Sequence, residues 1–300
     1  MLKTKEKSMF TLFQVSAKTT GLLFLIILIS ACADDATISE PDQDHRAVEI
    51  VNQLLDEEIE IEKRRNLAEE YPDLAVEMLN ALVHDLETGT EEEANRIPWI
   101  WRVTIAAGSR NDVEEIKEIM EISLPVENEP LLNWQCVVLG GGVVNGISRQ
   151  DVWPRPRIDE ILDDEPSLQD RWQHAVNESY DYASNPDLPN PWRYDALRMV
   201  AMDEMERSIP ELANYLEPGL NDHLHMGALR GLSDIQSPEV ANLILENISS
   251  YSENNYNIAL EVLMRTEERR EALRNALEEG IIEIEDLNSE QVETLGLNNL

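Results

Sequence analysis

From about residue 45 onward, apolar residues recur at intervals of three and four positions, the spacing of one face of an α-helix. Alternation of apolar and polar residues, which would predict β-strands, is confined to brief runs such as 282–285. The pattern predicts helices of about 10–16 residues joined by short turns. The chain is therefore expected to be all-α, built from consecutive antiparallel helices.

Two short sequences mark helix starts. Thr90 is followed three residues later by Glu93, and Asn111 is followed by Glu114. In this arrangement, a capping box, each side chain accepts a hydrogen bond from the free backbone N–H of the other residue. Helices are therefore predicted to begin just after Thr90 and Asn111.

A weak internal repeat lies in the C-terminal half. Its three copies are Ala196-Leu197-Arg198, Ala228-Leu229-Arg230 and Ala259-Leu260-Glu261, spaced by 32 and 31 residues. A period of this size is typical of one helix pair per repeat, stacked as a solenoid. Because three imperfect copies also occur in other helical chains, an irregular helical bundle is the alternative.

Two segments, 97–108 and 131–139, are apolar on nearly every side, with Arg102 as their one charged residue. A helix that is apolar all round is buried between layers of structure. Both segments are therefore predicted to be inner helices of the N-terminal half. The glycine-rich stretch 140–148 is predicted to end the second of these helices and to form a turn.

The first residues have the layout of a secretory signal peptide. Four lysines accompany a short apolar run at 21–29. That run is shorter than the ~20 apolar residues that a membrane-spanning helix needs. Residues 1–31 are therefore predicted to be a signal peptide, which places the mature chain outside the cytoplasm. An uncleaved signal anchor is the alternative.

The sequence Ile29-Ser30-Ala31-Cys32 resembles the lipobox of bacterial lipoproteins. This resemblance implies cleavage before Cys32 and lipidation of that cysteine, and anchoring by more than one acyl chain is stable. Ala33 follows the cysteine, where an inner-membrane retention signal would have aspartate. In a Gram-negative organism this favours the outer membrane, on its periplasmic or surface side. Residues 32–44 are predicted to be a flexible acidic tether, and residues 45–300 a helical domain.

The charge of the chain limits its partners. Its 24 basic and 60 acidic residues give a net charge of −36. The first 31 residues hold four lysines and one glutamate, so the chain after them carries −39. Such a chain repels phosphate backbones, which excludes nucleic acid as an expected partner. It also repels anionic lipids, so that acyl chains must supply the membrane attachment.

No motif with a known chemistry emerges from the sequence. Cys136, the only cysteine after Cys32, lies among apolar residues and is predicted to be a buried structural thiol. His223 and His225 diverge by ~200° on a helix, which does not suit a shared metal ion. We therefore expect no enzymatic activity, no cofactor and no metal centre. Two alternatives stay open: loose calcium binding by acidic clusters such as 163–165, and an enzyme with an unrecognised acidic site.

Two stretches combine tryptophan with arginine at predicted loop–helix junctions. Both residue types are enriched at binding hot spots, and loops carry many binding residues. The sequence therefore predicts that a protein partner contacts Trp153, Arg155, Arg157, Trp192 and Arg193. The alternative is that the tryptophans pack between helices.

Several segments resemble the HEAT-repeat region of secreted planctomycete-type proteins, namely 97–112, 131–148, 192–203 and 225–245. In many of those proteins this region belongs to a membrane-bound dehydrogenase, between a β-propeller and a haem-binding cytochrome c segment. The resemblance covers about residues 47–297 and implies a HEAT-like α-solenoid with a scaffold or docking role. The chain has no Cys-x-x-Cys-His motif and no room for a propeller, so the resemblance implies no haem and no chemistry.

These features predict a lipid-anchored, extracytoplasmic HEAT-like solenoid that binds another protein of unknown identity. The alternative function is an accessory subunit of a secreted oxidoreductase or polysaccharide-degrading system, acting beside a separately encoded enzyme.

Overall fold

A computed structural model of the chain describes residues 43–126 and 129–297. Within these residues every regular element is helical, which confirms the prediction of an all-α chain. The predicted signal peptide and Cys32 lie outside the described residues, as does the predicted tether except for its last two positions. The first described residue, Gln43, is already helical, two positions before the predicted start of the domain.

The helices of the first half are α1 Gln43–Leu55, α2 Ile61–Glu70, α3 Ala75–Val83, α4 Glu91–Arg110, α5 Val113–Ser123, α6 Asn133–Cys136, α7 Asn145–Ser148 and α8 Pro154–Leu162. Those of the second half are α9 Pro166–Ser184, α10 Asn190–Val200, α11 Met205–Asn214, α12 Asp222–Ser233, α13 Glu239–Asn247, α14 Glu253–Met264, α15 Glu267–Glu278 and α16 Ser289–Thr294. Short 3₁₀ turns cover Pro72–Leu74, Ile248–Ser250 and Ile284–Asp286. Among the described residues, no helix combines the length and the apolar character that crossing a bilayer requires.

The start of α4 agrees with its predicted cap, with one difference. The Thr90 hydroxyl accepts a hydrogen bond from the Glu93 backbone N–H at 3.1 Å, as the capping box requires. The buried Glu93 carboxylate instead accepts hydrogen bonds from the backbone N–H groups of Gly89, at 2.7 Å, and Trp134, at 3.2 Å. Glu93 therefore ties the start of α4 to the start of α6. The second predicted cap is displaced by one residue, because Asp112 and not Asn111 caps α5.

The prediction of a turn at 140–148 is wrong. The segment Val137–Val144 is π-helical and joins α6 to α7, so that residues 133–148 form one continuous helix, which we call the central helix. Glycine normally weakens a helix interior. Here it allows close packing on α4, since a Cβ at Gly142 would lie 2.1 Å from the Thr104 hydroxyl and one at Gly146 would lie 2.6 Å from the Gly108 backbone.

The central helix therefore packs backbone to backbone against α4 and α10. Gly140 faces the backbone of Asp195 in α10. A Cβ added to Gly140 would lie 2.2 Å from the Asp195 carbonyl oxygen. This close arrangement explains why segments that are apolar on nearly every side occur in α4 and at the start of the central helix.

Gly146→Ala is expected to lower the free energy of unfolding by about 2 kcal/mol. Alanine gains about 1 kcal/mol in helix propensity, but overpacking against an immobile backbone costs up to about 3 kcal/mol. Urea unfolding measures the difference. Gly227→Ala is the matched control, because there the atom nearest to the added Cβ is the flexible end of Leu197, at 2.9 Å. The interpretation fails if Gly146→Ala is as stable as Gly227→Ala.

The repeated Ala–Leu pairs of the C-terminal half lie in α10, α12 and α14, and all six of their side chains are buried. Helix α10 packs on α12, and α12 packs on α14. Alongside them, α11 packs on α12 and α13 packs on α15. The buried apolar side chains of the described residues form one connected core from Ala47 to Leu295.

Candidate functional site

A polar pocket of about 550 Å³ opens where the C-terminal ends of the central helix, α10, α12 and α14 meet. Five of its lining side chains are arginines and three are acidic, in a chain with 24 basic and 60 acidic residues. We call it the arginine pocket, after Arg149, Arg198, Arg230, Arg265 and Arg270. Helix C-termini carry a partial negative charge, which accounts for the concentration of cationic side chains at this place.

The floor of the pocket is a buried ionic network centred on Asp234, whose side chain is fully buried. Arg198 donates a hydrogen bond to one carboxylate oxygen at 2.8 Å, and Arg265 donates to the other at 2.6 Å. The Ser148 hydroxyl also donates to Asp234. Burial alone would lower the pKa of Arg198, but Asp234, Tyr194 and Asp195 together outweigh it and raise that pKa. The Asp234 carboxylate thus lies between two guanidinium groups, the buried one of Arg198 and the partly buried one of Arg265.

A third arginine lies beneath the floor. Arg269 is only 1% exposed, and its guanidinium donates hydrogen bonds to the backbone carbonyls of Leu232, Ser233 and Ile235 at the end of α12. Burial and the charge of Arg265 lower its pKa to about 10, against the opposing effect of Asp234. Arg269 therefore stays charged at neutral pH and caps the C-terminus of α12.

Two of the five residues predicted to bind a partner lie beside hollows of the surface. Trp153 lines the arginine pocket, and the Arg265 guanidinium lies over its ring, 4.3 Å from the centroid. Arg155 lines an adjoining hollow of about 260 Å³ that also contains Met205 and Asp234. Arg155 donates a hydrogen bond to the Asp203 carbonyl at 3.0 Å and forms an ion pair with Glu204. Since Asp234 lines both hollows, the two meet at its position.

The other three predicted residues lie outside these two hollows. Arg157 donates hydrogen bonds to the side chain of Asn111, at 2.8 Å, and to its backbone carbonyl, at 3.2 Å. Arg193 is 9% exposed and donates to the Ala183 carbonyl at 2.6 Å. Trp192 is half-buried. The guanidinium groups of Arg157 and Arg193 thus connect helices inside the molecule, and the role of all five residues in partner binding stays a prediction.

A second group of buried ionisable residues lies against the π-helical segment. Asp195 is 8% exposed, and its carboxylate lies against Gly141, where an added Cβ would be 2.6 Å from the Oδ1 atom. Burial raises the pKa of its carboxyl to about 7, while the charge of Arg198 acts in the opposite direction. Burial, and after it the charge of Asp195, raises the pKa of the Cys136 thiol, which therefore stays protonated. π-helical segments are frequent at functional sites, and this one adjoins the arginine pocket through Asn145.

The histidines take no part in either group. His225 is buried and pairs with the Glu217 carbonyl at 2.9 Å, while His223 is exposed. In the part of the chain that the structure describes, no three histidine, cysteine or acidic side chains are arranged to hold a metal ion. Loose calcium binding by the acidic clusters stays a prediction.

No protein-family model and no curated protein matches the chain. Among solved structures, the chain is similar to human deoxyhypusine hydroxylase, solved in complex with glycerol, at 14% sequence identity. The match covers 85% of this chain and 95% of the human one, with a TM-score of 0.32.

The comparison corrects the prediction that the chain is not an enzyme. The similar structure is that of an enzyme, a hydroxylase by its name. A likeness with a TM-score of 0.32 carries no argument about any reaction.

Proposed function

We propose that the chain is a lipid-anchored, extracytoplasmic docking module that binds a protein partner at the joined hollows beside Trp153 and Arg155. Acyl chains on Cys32 attach the protein to the outer membrane of a Gram-negative cell. Residues 32–44 are the tether between these acyl chains and the helical domain. The helical domain is a HEAT-like solenoid that presents these hollows to the partner.

The solenoid is supported by the relation between the repeat and the packing. The three Ala–Leu pairs are buried in α10, α12 and α14, which pack on one another in that order. The third members of the repeat, Arg198, Arg230 and Glu261, all line the arginine pocket. Equivalent positions of successive units therefore face the same side, as stacked repeats require.

The docking proposal rests on the charge and the residue types of the arginine pocket and the adjoining hollow. Arginines outnumber acidic side chains in the arginine pocket, although the whole chain is strongly acidic. Trp153 stands at its edge, and Met205, 39% exposed, lies in the adjoining hollow. Tryptophan, arginine and methionine are enriched in protein interfaces, where a few such residues supply most of the binding energy.

The double variant Trp153→Ala/Arg155→Ala is expected to lose its partner. Truncation of one hot-spot residue costs about 2 kcal/mol or more, so the pair weakens binding by at least about a hundredfold. The measurement is affinity purification of the tagged lipoprotein from membranes, with the captured proteins quantified by mass spectrometry.

Arg65→Ala is the control variant, because Arg65 forms an exposed ion pair with Glu62 on α2, away from both hollows. Thermal unfolding shows whether each variant is folded. Capture of the same proteins, in the same amounts, by the folded double variant and the control would place the partner site elsewhere.

A further inference from the structure

The side chains that line the arginine pocket are five arginines and three carboxylates, those of Asp151, Asp234 and Glu261. In its floor, Arg198, Arg265 and Arg269 contribute three positive charges and Asp234 contributes one negative charge. The C-termini of the central helix, α10, α12 and α14 each add up to about half a negative charge, and the Asp195 carboxyl also acts on Arg198. These groups offset the floor arginines, but the side chains that line the pocket still carry two more positive than negative charges, and several of them are buried and poorly screened.

Two of the three arginines at the rim of the pocket are paired with carboxylates. Arg230 is paired with Glu261 at 2.8 Å, and Arg270 is paired with Glu267 at 2.9 Å. Glu267 also accepts hydrogen bonds from Arg274, so that one carboxylate serves two arginines there as well. The exposed Arg149 forms no side-chain hydrogen bond or ion pair with any residue that the structure describes. Its guanidinium is therefore available to a ligand.

The size and chemistry of the pocket limit the ligand to a small oxyanion. A volume of about 550 Å³ suits a small molecule, since ligand pockets commonly have ~300–1,000 Å³. The planar guanidinium group of arginine has the geometry to donate two parallel hydrogen bonds to a carboxylate or a phosphate. A polyanion would be repelled by the rest of this acidic chain, whereas a small anion meets only the pocket.

We propose that the arginine pocket binds a small free oxyanion, a carboxylate or a phosphate, through Arg149 and Arg230 over the floor formed by Arg198 and Arg265. This inference goes beyond the docking proposal, because the pocket can hold such an anion with no partner protein present. The bound anion offsets the positive charge of the lining arginines and accepts hydrogen bonds from the rim.

Isothermal titration calorimetry of the detergent-solubilised full chain tests the proposal at pH 7 and constant ionic strength. Sodium phosphate and sodium succinate are the two probes, and sodium chloride is the control titrant. Saturable binding of either oxyanion at a stoichiometry near one is expected. The probe that binds more tightly shows whether the pocket prefers a tetrahedral phosphate or a planar carboxylate.

Variants assign the binding to the pocket. Arg149→Gln and Arg230→Gln should each raise the dissociation constant about tenfold or more, since a hydrogen bond to a charged group is worth at least that factor. The control Arg65→Gln, on α2, should bind like the wild type. Both replaced arginines are at least partly exposed, so the variants are expected to fold, and thermal unfolding verifies this.

Two results would overturn the proposal. One is the absence of saturable heat with both oxyanions, and the other is equal affinity in Arg149→Gln, Arg230→Gln and Arg65→Gln. Either result can occur while a partner protein is still captured, so a failure here is distinguishable from a failure of the docking proposal.

Discussion

Asp234→Asn is expected to lower the free energy of unfolding by about 3–5 kcal/mol, the cost of removing one partner from a buried ion pair. Asparagine keeps the shape of the side chain but not its charge. Arg198 and Arg265, which contact the two carboxylate oxygens at 2.8 and 2.6 Å, would then lie together without a compensating anion. Arg269, whose pKa is lowered by burial and then by the charge of Arg265, adds to the repulsion.

Urea unfolding at pH 7 measures this loss. The control is Glu261→Gln, which removes the partner of Arg230 from a pair that solvent reaches, with side chains 34% and 56% exposed. Such a pair contributes at most about 1 kcal/mol. Equal losses in the two variants would show that the Asp234 network stabilises the fold no more than a surface ion pair.

Asp195→Asn is expected to gain stability relative to the wild type as the pH rises. The difference between the unfolding free energies of variant and wild type should increase by up to about 4 kcal/mol from pH 4 to pH 8. Burial raises the pKa of Asp195 to about 7, although Arg198 opposes this, from an ordinary value of 3.8. The folded state therefore holds a proton that the unfolded chain has released. The stability from this group is complete below pH 4 and is lost as the pH rises through 7. Asparagine cannot ionise and shows no such loss.

The test compares the unfolding free energies of wild type and variant at several values between pH 4 and pH 8. Their difference at each pH isolates Asp195 from the other carboxyl groups, which titrate in both proteins. Asp181→Asn, at an exposed position of α9, is the control and should follow the wild-type profile. A pH-independent difference between Asp195→Asn and wild type would mean that Asp195 titrates like an ordinary carboxyl.

The helical class and the start of α4 were predictable, because periodicity and N-caps are local properties of a sequence. The central helix was not. Gly140, Gly141 and Gly142 indicate a turn by their own preferences, and only their contacts with α4 and α10 explain a continuous helix. Those contacts join residues more than 30 positions apart, which no local pattern contains.

The candidate site was predictable only in part. Trp153 and Arg155 were selected by residue type and do lie beside the two hollows, whereas Arg157 and Arg193 bind groups inside the molecule. The sequence analysis missed Asp234 and Arg265, whose importance depends on four helix ends meeting in space. One signal was available, since two arginines and a glutamate hold the third position of the repeat at 198, 230 and 261.

Site-specific photo-cross-linking in living cells tests the docking surface most directly. A photoreactive residue in place of Met205, which is exposed in the hollow beside Arg155, is compared with one in place of Ile281, which is 48% exposed and lines neither hollow. The account predicts an adduct with one defined protein from position 205 and none from position 281. The same adduct from both positions, or an adduct from position 281 alone, would contradict it.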